Sequence, residues 1–269
     1  MANVFVPISP TFTNYAMYFN GTDSYVVVPN FNGSDNMTFV VWLFDASTPN
    51  ERKYGNAIID WGDPWNTNGL GVLIDYGYGG NTYRVITSNN QFSDYAIPLS
   101  YTLNKWGMIA LSISNTDKKW IAYADAVPTF TKDITGFQPA NGQNLYIGEV
   151  PPGVLYEAPN GGHWHGYIAQ ILIYNRALSQ AEIERLYATP TNPIKDGLVL
   201  WLQADPSTVK GNVWFDKSGN NNNGVIFNAQ LVPLSPTVPQ IPLFWIGVGA
   251  ITAVAVGAGL WIAHSKGLI

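Results

Sequence analysis

Short apolar runs follow one another from residue 15 to residue 175, and Gly, Asn, Asp or Pro separates each from the next. Alternation within the runs and their Val, Ile, Tyr and Trp content are typical of strands. Strands at such close spacing predict an all-β fold, a two-sheet antiparallel β-sandwich. The ten predicted strands are YAMYFN, SYVVVP, MTFVVWLFDA, NAIIDWG, LGVLIDYG, TYRVITS, WGMIALSIS, KWIAYADAV, NLYIGEV and GYIAQILIYN.

One short helix is predicted after these strands, in NRALSQAEIERLYA. Ser179 is followed three residues later by Glu182, which is the spacing of a capping box. The segment TPTNP ends the helix, because proline does not continue one. The apolar stripe of the predicted helix consists of Leu178, Ile183, Leu186 and Tyr187.

The apolar segment 243–263 contains 21 residues and no charge. As a helix it would be about 30 Å long, which matches the hydrocarbon core of a bilayer. Trp245 and Trp261 stand near its ends, where aromatic rings favour the membrane interface. The pattern therefore predicts a C-terminal transmembrane α-helix rather than a buried core helix. A Pro-rich stalk at 233–242 precedes it, and a short tail at 264–269 follows it.

Small residues recur at every fourth position of this predicted span, at Gly249, Ala253 and Gly257. Such a stripe allows helices to approach closely, so self-association is one interpretation. The other is that Gly and Ala are common in membrane spans. Lys266 would place the C-terminal end inside. No signal peptide is recognisable in MANVFVPISPTFTN. We nevertheless expect the β-domain on the exterior of a cell or virion.

Charge argues against one class of partner. The whole chain carries 13 Lys and Arg against 18 Asp and Glu, a net charge of −5. Lys266 is the only charged residue after Leu243, so the preceding part has 12 basic and 18 acidic residues, a net −6. Nucleic acid is therefore not an expected partner, because phosphate binding needs a basic face. The chain has no cysteine, which excludes disulfides and thiol chemistry.

Four segments carry a resemblance to a known family: AMYFNGTDSYVVVP, MTFVVWLF, LYIGE and HGYIAQILIYNRALSQAEIERLY. Together they resemble a laminin-G-like domain of the concanavalin A-like lectin/glucanase superfamily, over about residues 14–189. The resemblance implies a concanavalin A-like jelly roll and a lectin-like function.

The segment DGLVLWLQADPS…VWFDKSGNNNNGVIFNAQLV also resembles this family, although there it usually precedes the YFNGTDSYVVVP piece. Either the domain is circularly permuted, or a second copy begins here and is truncated. We favour permutation, because an isolated hairpin has little stability in water. Residues 1–232 would then form one sandwich, completed by strands from 194–232.

The superfamily includes glucanases, but their Glu-x-Asp-x-x-Glu run is absent. The nearest acidic pairs are Asp60 with Asp63 in a turn, and Glu182 with Glu184 on the predicted helix. Retaining glycosidases need two carboxylates about 5 Å apart. Neither pair fits this role well, so we expect no enzyme activity.

The region 60–83 combines aromatic side chains with Asp and Asn, which is the mixture that sugar binding needs. The alternative is that half of these rings point into the core. The candidate ligand-binding residues are Trp61, Trp65, Tyr76 and Tyr78.

The resemblance implies calcium as the cofactor, because many laminin-G-like domains bind it at a loop edge, and Asp60, Asp63 and Asp75 supply the hard oxygen ligands that it prefers. Solvated turn carboxylates are the alternative. His163 and His165 have the spacing of ligands on one strand face, but a family turn explains the segment better than zinc.

Three glycosylation sequons begin at Asn20, Asn32 and Asn36. The motif is short, and chance occurrence is a serious alternative. Taken together, these patterns predict a membrane-anchored surface protein that recognises carbohydrate or a receptor, for instance in adhesion. The first alternative is a structural virion or envelope protein whose sandwich packs with neighbouring subunits. Glycoside hydrolysis is a minor one.

Overall fold

The computed structural model describes residues 12–53, 56–62, 69–74, 82–87, 92–151 and 162–234, and the backbone of 254–256 and 259–261. Contacts divide the chain into two units, Met1–Pro236 and Thr237–Ile269. In chain order the elements are β1 (Tyr15–Asn20), β2 (Tyr25–Phe31), β3 (Asn36–Asp45), β4 (Asn56–Gly62), β5 (Gly69–Ile74), β6 (Thr82–Thr87), β7 (Phe92–Pro98), β8 (Trp106–Ser114), β9 (Lys119–Ala124), β10 (Val127–Asp133), β11 (Gln143–Ile147), β12 (His165–Tyr174), α1 (Gln180–Ala188), β13 (Leu198–Gln203), β14 (Val209–Lys210), β15 (Val213–Trp214), β16 (Gly224–Phe227), β17 (Gln230–Pro233), β18 (Val254–Val256) and β19 (Gly259–Trp261).

The first unit consists of two sheets, and the pairings between its named strands are antiparallel. The first sheet has the order β10-β9-β8-β3-β12-β1-β17, with β13 also paired to β12. The second sheet has the order β14-β15-β16-β2-β11-β4-β5-β6-β7. The predicted all-β sandwich of two sheets with one short helix is thus confirmed.

Alternation along the strands decides which side chains enter the core. In β2, Val26 and Val28 are fully buried between the sheets, whereas Tyr25 and Val27 are only partly buried. Successive side chains of a strand point to opposite faces, so Tyr25 lies on the outer face of the second sheet. Burial of the inner rows removes apolar surface from water and holds the two sheets together.

The helix α1 covers part of the outer face of the first sheet. Ser179 caps it by accepting a hydrogen bond from the Glu182 backbone, and the Glu182 side chain completes the capping box. Ile183 and Leu186 pack against the sheet, as the sequence predicts. Tyr187 differs from its predicted role, because 40% of it is exposed while its ring stacks on Trp42 at 5.3 Å.

The C-terminal segment of the sandwich contributes strands to both sheets. β13 pairs with β12 and β17 pairs with β1 in the first sheet, whereas β16 joins β14 and β15 to β2 in the second. Residues after 194 therefore add to the hydrogen-bonded ladders of the same sandwich as β1–β12. Circular permutation as the origin of this order stays a prediction.

A buried polar network links the sheets at one end of the sandwich. The Asp45 side chain is fully buried, and its carboxylate accepts hydrogen bonds from the Tyr83 hydroxyl at 2.9 Å and the Ser47 amide at 2.8 Å. The Ser47 hydroxyl also donates to Asp45, and the hydroxyls of Tyr83 and Thr102 are hydrogen-bonded to each other. Burial raises the pKa of Asp45, against the opposing effect of these donors.

Among the residues that the structure describes, no helix has the length and apolar character needed to cross a membrane. Six residues of the predicted span are described, and they form the antiparallel strands β18 and β19 instead of the helix predicted for them. Trp261 ends β19. Trp245, Gly249, Ala253 and Gly257 lie outside the described residues.

Candidate functional site

Three aromatic rings form a stack on the outer face of the second sheet. The Phe227 and Tyr25 rings lie 4.6 Å apart and within 11° of parallel, because β16 pairs with β2 at these two residues. The His163 ring follows at 6.1 Å from Tyr25. Phe227 is 41% exposed, so one face of the stack is open to solvent. These rings and the polar groups beside them form what we call the Tyr25 site: Asp23, Tyr25, Glu149, His163, Phe227 and Asn228.

A carboxyl group lies at the inner end of the stack. Glu149 follows β11 and is 9% exposed, and its Oε1 atom lies 3.9 Å from Nε2 of His163. Its Oε2 atom is buried without a hydrogen-bond partner among the described residues. Burial raises the pKa of Glu149 to about 7 and lowers that of His163. Near neutral pH, Glu149 therefore exists in both protonation states and can donate or accept a hydrogen bond.

A carboxylate and two amides line the outer end of the site. The Asn228 amide donates to the Asp23 carboxylate at 3.1 Å, and the Asn20 amide donates to its other oxygen at 2.7 Å. Asn20 also accepts hydrogen bonds from the backbone of Thr22 and Asp23. Since Asp23 and Asn228 are both exposed, this rim presents positioned acceptors and donors next to the Phe227 ring.

Comparison with known families gave a match over most of the sandwich. The family model described as the concanavalin A-like lectin/glucanases superfamily matches residues 20–184. The chain belongs to this superfamily. The resemblance seen in the sequence is thereby confirmed, and the superfamily's jelly-roll sandwich agrees with the two sheets found here.

Solved structures share this superfamily fold. A putative carbohydrate binding protein from Bacteroides ovatus superimposes with a TM-score of 0.62 at 20% identity, covering 84% of this chain. The chain spans 62% of the length of that protein. A heptameric SAP-like pentraxin from Limulus polyphemus superimposes with a TM-score of 0.55 at 13% identity, covering 85% of this chain and 98% of its own. Comparison with curated proteins gave no match.

The aromatic residues predicted to bind ligand separate in the structure. Trp61 is fully buried in the core, where its ring meets Phe31 edge-on at 5.3 Å. It has no surface to offer a ligand, so the core interpretation applies to this ring. Trp65, Tyr76 and Tyr78 lie outside the described residues.

The predicted calcium ligands are described at one position. Asp60 is fully buried in β4, paired with Tyr146 of β11, and lies on the same side of the sheet as Tyr25. Asp63 and Asp75 lie outside the described residues. Within the described part of the chain, no three metal-ligating side chains form a cluster.

His163 and His165 are directed to different parts of the sandwich. His163 belongs to the Tyr25 site, and an isolated bridge joins it to Ala57 of the second sheet. His165 lies in β12 of the first sheet, with its Nδ1 atom 3.0 Å from Glu51. Trp164 between them is fully buried against Phe19.

The three sequons differ in accessibility. Asn32 is exposed, although its amide donates to the Asn30 carbonyl at 3.2 Å. The Asn36 side chain is partly buried and accepts the Asn115 amide at 2.8 Å. Asn20 is held by Asp23, as described above. Of the three, Asn32 offers the most accessible side chain, and glycosylation stays a prediction.

The raised pKa of Glu149 makes stability depend on pH. Unfolded, the carboxyl has its ordinary pKa near 4.5, whereas the folded value is about 7. The folded state therefore holds the Glu149 proton more tightly than the unfolded state does. The stability that this proton contributes is lost as the pH rises from about 4.5 to about 7. We expect Glu149→Gln to be more stable than the parent at pH 8 by about 1–3 kcal/mol, and equally stable at pH 4. Urea unfolding of both proteins at both pH values measures this. An equal difference at pH 4 and pH 8 contradicts it.

Proposed function

We propose that this chain is a lectin-like module that binds neutral glycans at the Tyr25 site without chemically altering them. The observation that carries the proposal is the exposed Phe227 ring, stacked on Tyr25 and bordered by Asp23 and Asn228. The C–H face of a sugar ring packs on a flat aromatic face, while amides and carboxylates bind its hydroxyls. The similarly folded protein from Bacteroides ovatus, a putative carbohydrate binding protein, supports the same ligand class.

The carboxyl groups at the Tyr25 site limit which glycans can bind there. Among the described residues, the charged groups that act on His163 and Tyr25 are the carboxyls of Asp23 and Glu149. A carboxylated or sulfated sugar placed on the stack would meet negative charge and be repelled. The expected ligand is therefore a neutral saccharide.

The proposal includes a location for the protein, which rests on its sequence. The apolar composition of residues 243–263 is the basis for proposing a membrane anchor, with the sandwich on the exterior of a cell or virion, although the six of these residues that the structure describes form β18 and β19. Glycan or receptor recognition there would serve adhesion. Calcium bound by Asp60, Asp63 and Asp75, and self-association through Gly249 and Gly257, remain part of this proposal.

The test is a glycan-array screen of the full chain, with calcium and with chelator, followed by titration of the best neutral hit. Phe227→Ala is expected to weaken binding about tenfold, since it removes the exposed stacking face. Phe215→Ala is the matched control, because Phe215 is equally exposed at 40% but lies just beyond β15, outside the site. Loss of affinity in the presence of chelator would support calcium.

Two outcomes contradict the proposal. If Phe227→Ala and Phe215→Ala bind equally well, the Tyr25 site is not the binding site. If the folded parent protein binds no glycan on the array, the structural alternative is favoured, in which the sandwich packs with neighbouring subunits.

The second candidate function is glycoside hydrolysis, favoured by the raised pKa of Glu149. A carboxyl with a pKa near 7 suits a general acid, and Asp60 supplies a second carboxyl on strand β4, which pairs with β11. Incubating array-positive oligosaccharides with the protein and assaying reducing ends distinguishes the two functions. Cleavage that Glu149→Gln abolishes would establish hydrolysis, and intact oligosaccharide supports binding alone.

A further inference from the structure

A groove of about 400 Å³ lies on the other side of the sandwich, on the outer face of the first sheet. Its floor is formed by β8, β9 and β10, and its wall by residues 177–180, which lead into α1. The volume falls within the range of small-molecule sites. The side chains that matter here are Ser112, Ser114, Ile121, Tyr123, Thr131 and Leu178.

These side chains combine apolar surface with hydroxyl groups. Ile121 and the Tyr123 ring provide carbon surface, and Thr131 is exposed at the edge strand β10. The Tyr123 side chain is only 1% exposed, and its hydroxyl is the polar group of this ring. A tyrosine hydroxyl can donate a hydrogen bond to a polar ligand that enters the groove, or accept one from it.

The charged groups of the groove are balanced. Asp117 accepts the Ser114 hydroxyl at 2.8 Å, and Lys119 lies 3.9 Å from Asp133. One carboxylate and one ammonium line the groove, so no net charge selects a phosphate or another anion. Hydroxyl groups over an apolar floor instead fit an uncharged molecule that carries many hydroxyls.

We propose that this groove is a second saccharide-binding site, which takes a neutral glycosyl residue against Tyr123 and Thr131. The groove and the Tyr25 site lie on the outer faces of different sheets, so they share no side chain. One module could then hold two glycan chains at once, and on a surface rich in glycans its avidity would exceed either affinity.

The test uses the full chain and a panel of neutral trisaccharides of glucose, mannose, N-acetylglucosamine and arabinose, in calorimetric titrations. The Phe227→Ala protein serves as the background, so that binding at the Tyr25 site is weakened. Thr131→Tyr fills the groove from an exposed position and is expected to abolish the remaining binding. Tyr123→Phe keeps the ring and removes only the hydroxyl, and is expected to weaken binding about fivefold, as for one lost hydrogen bond.

Thr191→Tyr is the matched control, because Thr191 is exposed beyond the C-terminal end of α1 and does not line the groove. It is expected to leave the affinity unchanged, and thermal unfolding checks that each variant is folded. If the folded Thr131→Tyr protein binds saccharide as well as the Thr191→Tyr protein does, the groove is not a binding site. If Phe227→Ala alone abolishes all saccharide binding, the Tyr25 site is the binding site and the groove proposal is contradicted. If binding is insensitive to Phe227→Ala but lost in Thr131→Tyr, the Tyr25 site fails and the groove is supported.

Discussion

Replacing Trp61 with alanine is expected to lower the free energy of unfolding by about 3–5 kcal/mol. The Trp61 side chain is fully buried, packs edge-on against Phe31, and lies between Leu145 of β11 and Leu70 of β5 in the sheet register. Alanine would leave a cavity between the sheets, since close-packed neighbours relax only partly. Urea unfolding monitored by circular dichroism measures the loss.

Phe227→Ala is the control for this prediction, because it removes a ring of similar kind from an exposed position. Its effect on stability is expected to stay within about 1 kcal/mol. The two variants therefore separate core from site: Trp61→Ala loses stability, whereas Phe227→Ala loses glycan affinity. If Trp61→Ala leaves the stability unchanged but abolishes glycan binding, the core role is contradicted and Trp61 is a ligand-binding residue.

Asp45→Ala is expected to destabilise the sandwich by a similar amount, about 3–5 kcal/mol. The substitution removes the acceptor of the Tyr83 hydroxyl, the Ser47 amide and the Ser47 hydroxyl, all of which are buried. Each buried donor left without an acceptor costs about 1–3 kcal/mol. For a domain of this size the melting temperature should fall by about 10 °C.

Tyr83→Phe provides the comparison, because it removes one donor and leaves Asp45 with its two hydrogen bonds from Ser47. We expect it to cost about 1–2 kcal/mol, and to cost less still in the Asp45→Ala background, where the tyrosine hydroxyl has lost its carboxylate. Additive effects in the double variant would contradict direct coupling between Asp45 and Tyr83.

Central strands could be predicted from the sequence nearly to the residue. YAMYFN, NAIIDWG and WGMIALSIS coincide with β1, β4 and β8, because buried strands carry uninterrupted apolar rows that polar turns end. The sequence pattern does not predict strands in FSDYAIP and VPTFTKD, although these segments form β7 and β10. Both are edge strands, and an edge strand can carry polar residues on both faces.

The turn between β9 and β10 is a second feature that the sequence pattern does not predict. The sequence predicts one strand through Val127, but Asp125 and Ala126 adopt positive φ values of 47° and 65° and reverse the chain. Alanine rarely adopts this conformation, and the familiar Asn-Gly signal of a tight hairpin is absent. Tertiary packing of Ala126 into the cluster under α1 accompanies the turn.

The residues of the candidate site were harder to predict than the fold. Alternation in NAIIDWG places Asp60 and Trp61 on opposite faces, but it does not tell which face enters the core. Tyr25 and Phe227 meet only because β16 pairs with β2, a contact between strands near opposite ends of the sandwich sequence. The one available signal was the family resemblance of the segment that contains Phe227, since it places that segment beside YFNGTDSYVVVP.

The pairing of β1 with β17 also constrains how the protein is made. Tyr15 is opposite Pro233, and the Leu234 amide donates to the Asn14 carbonyl at 2.8 Å. During synthesis, β1 leaves the ribosome long before its neighbour, so one of its edges stays unpaired until residue 233 emerges. Contacts between such distant residues make folding slow, and an open strand edge can pair with another nascent chain. A stall in translation shortly before residue 230 would therefore produce a chain that aggregates rather than a smaller folded domain.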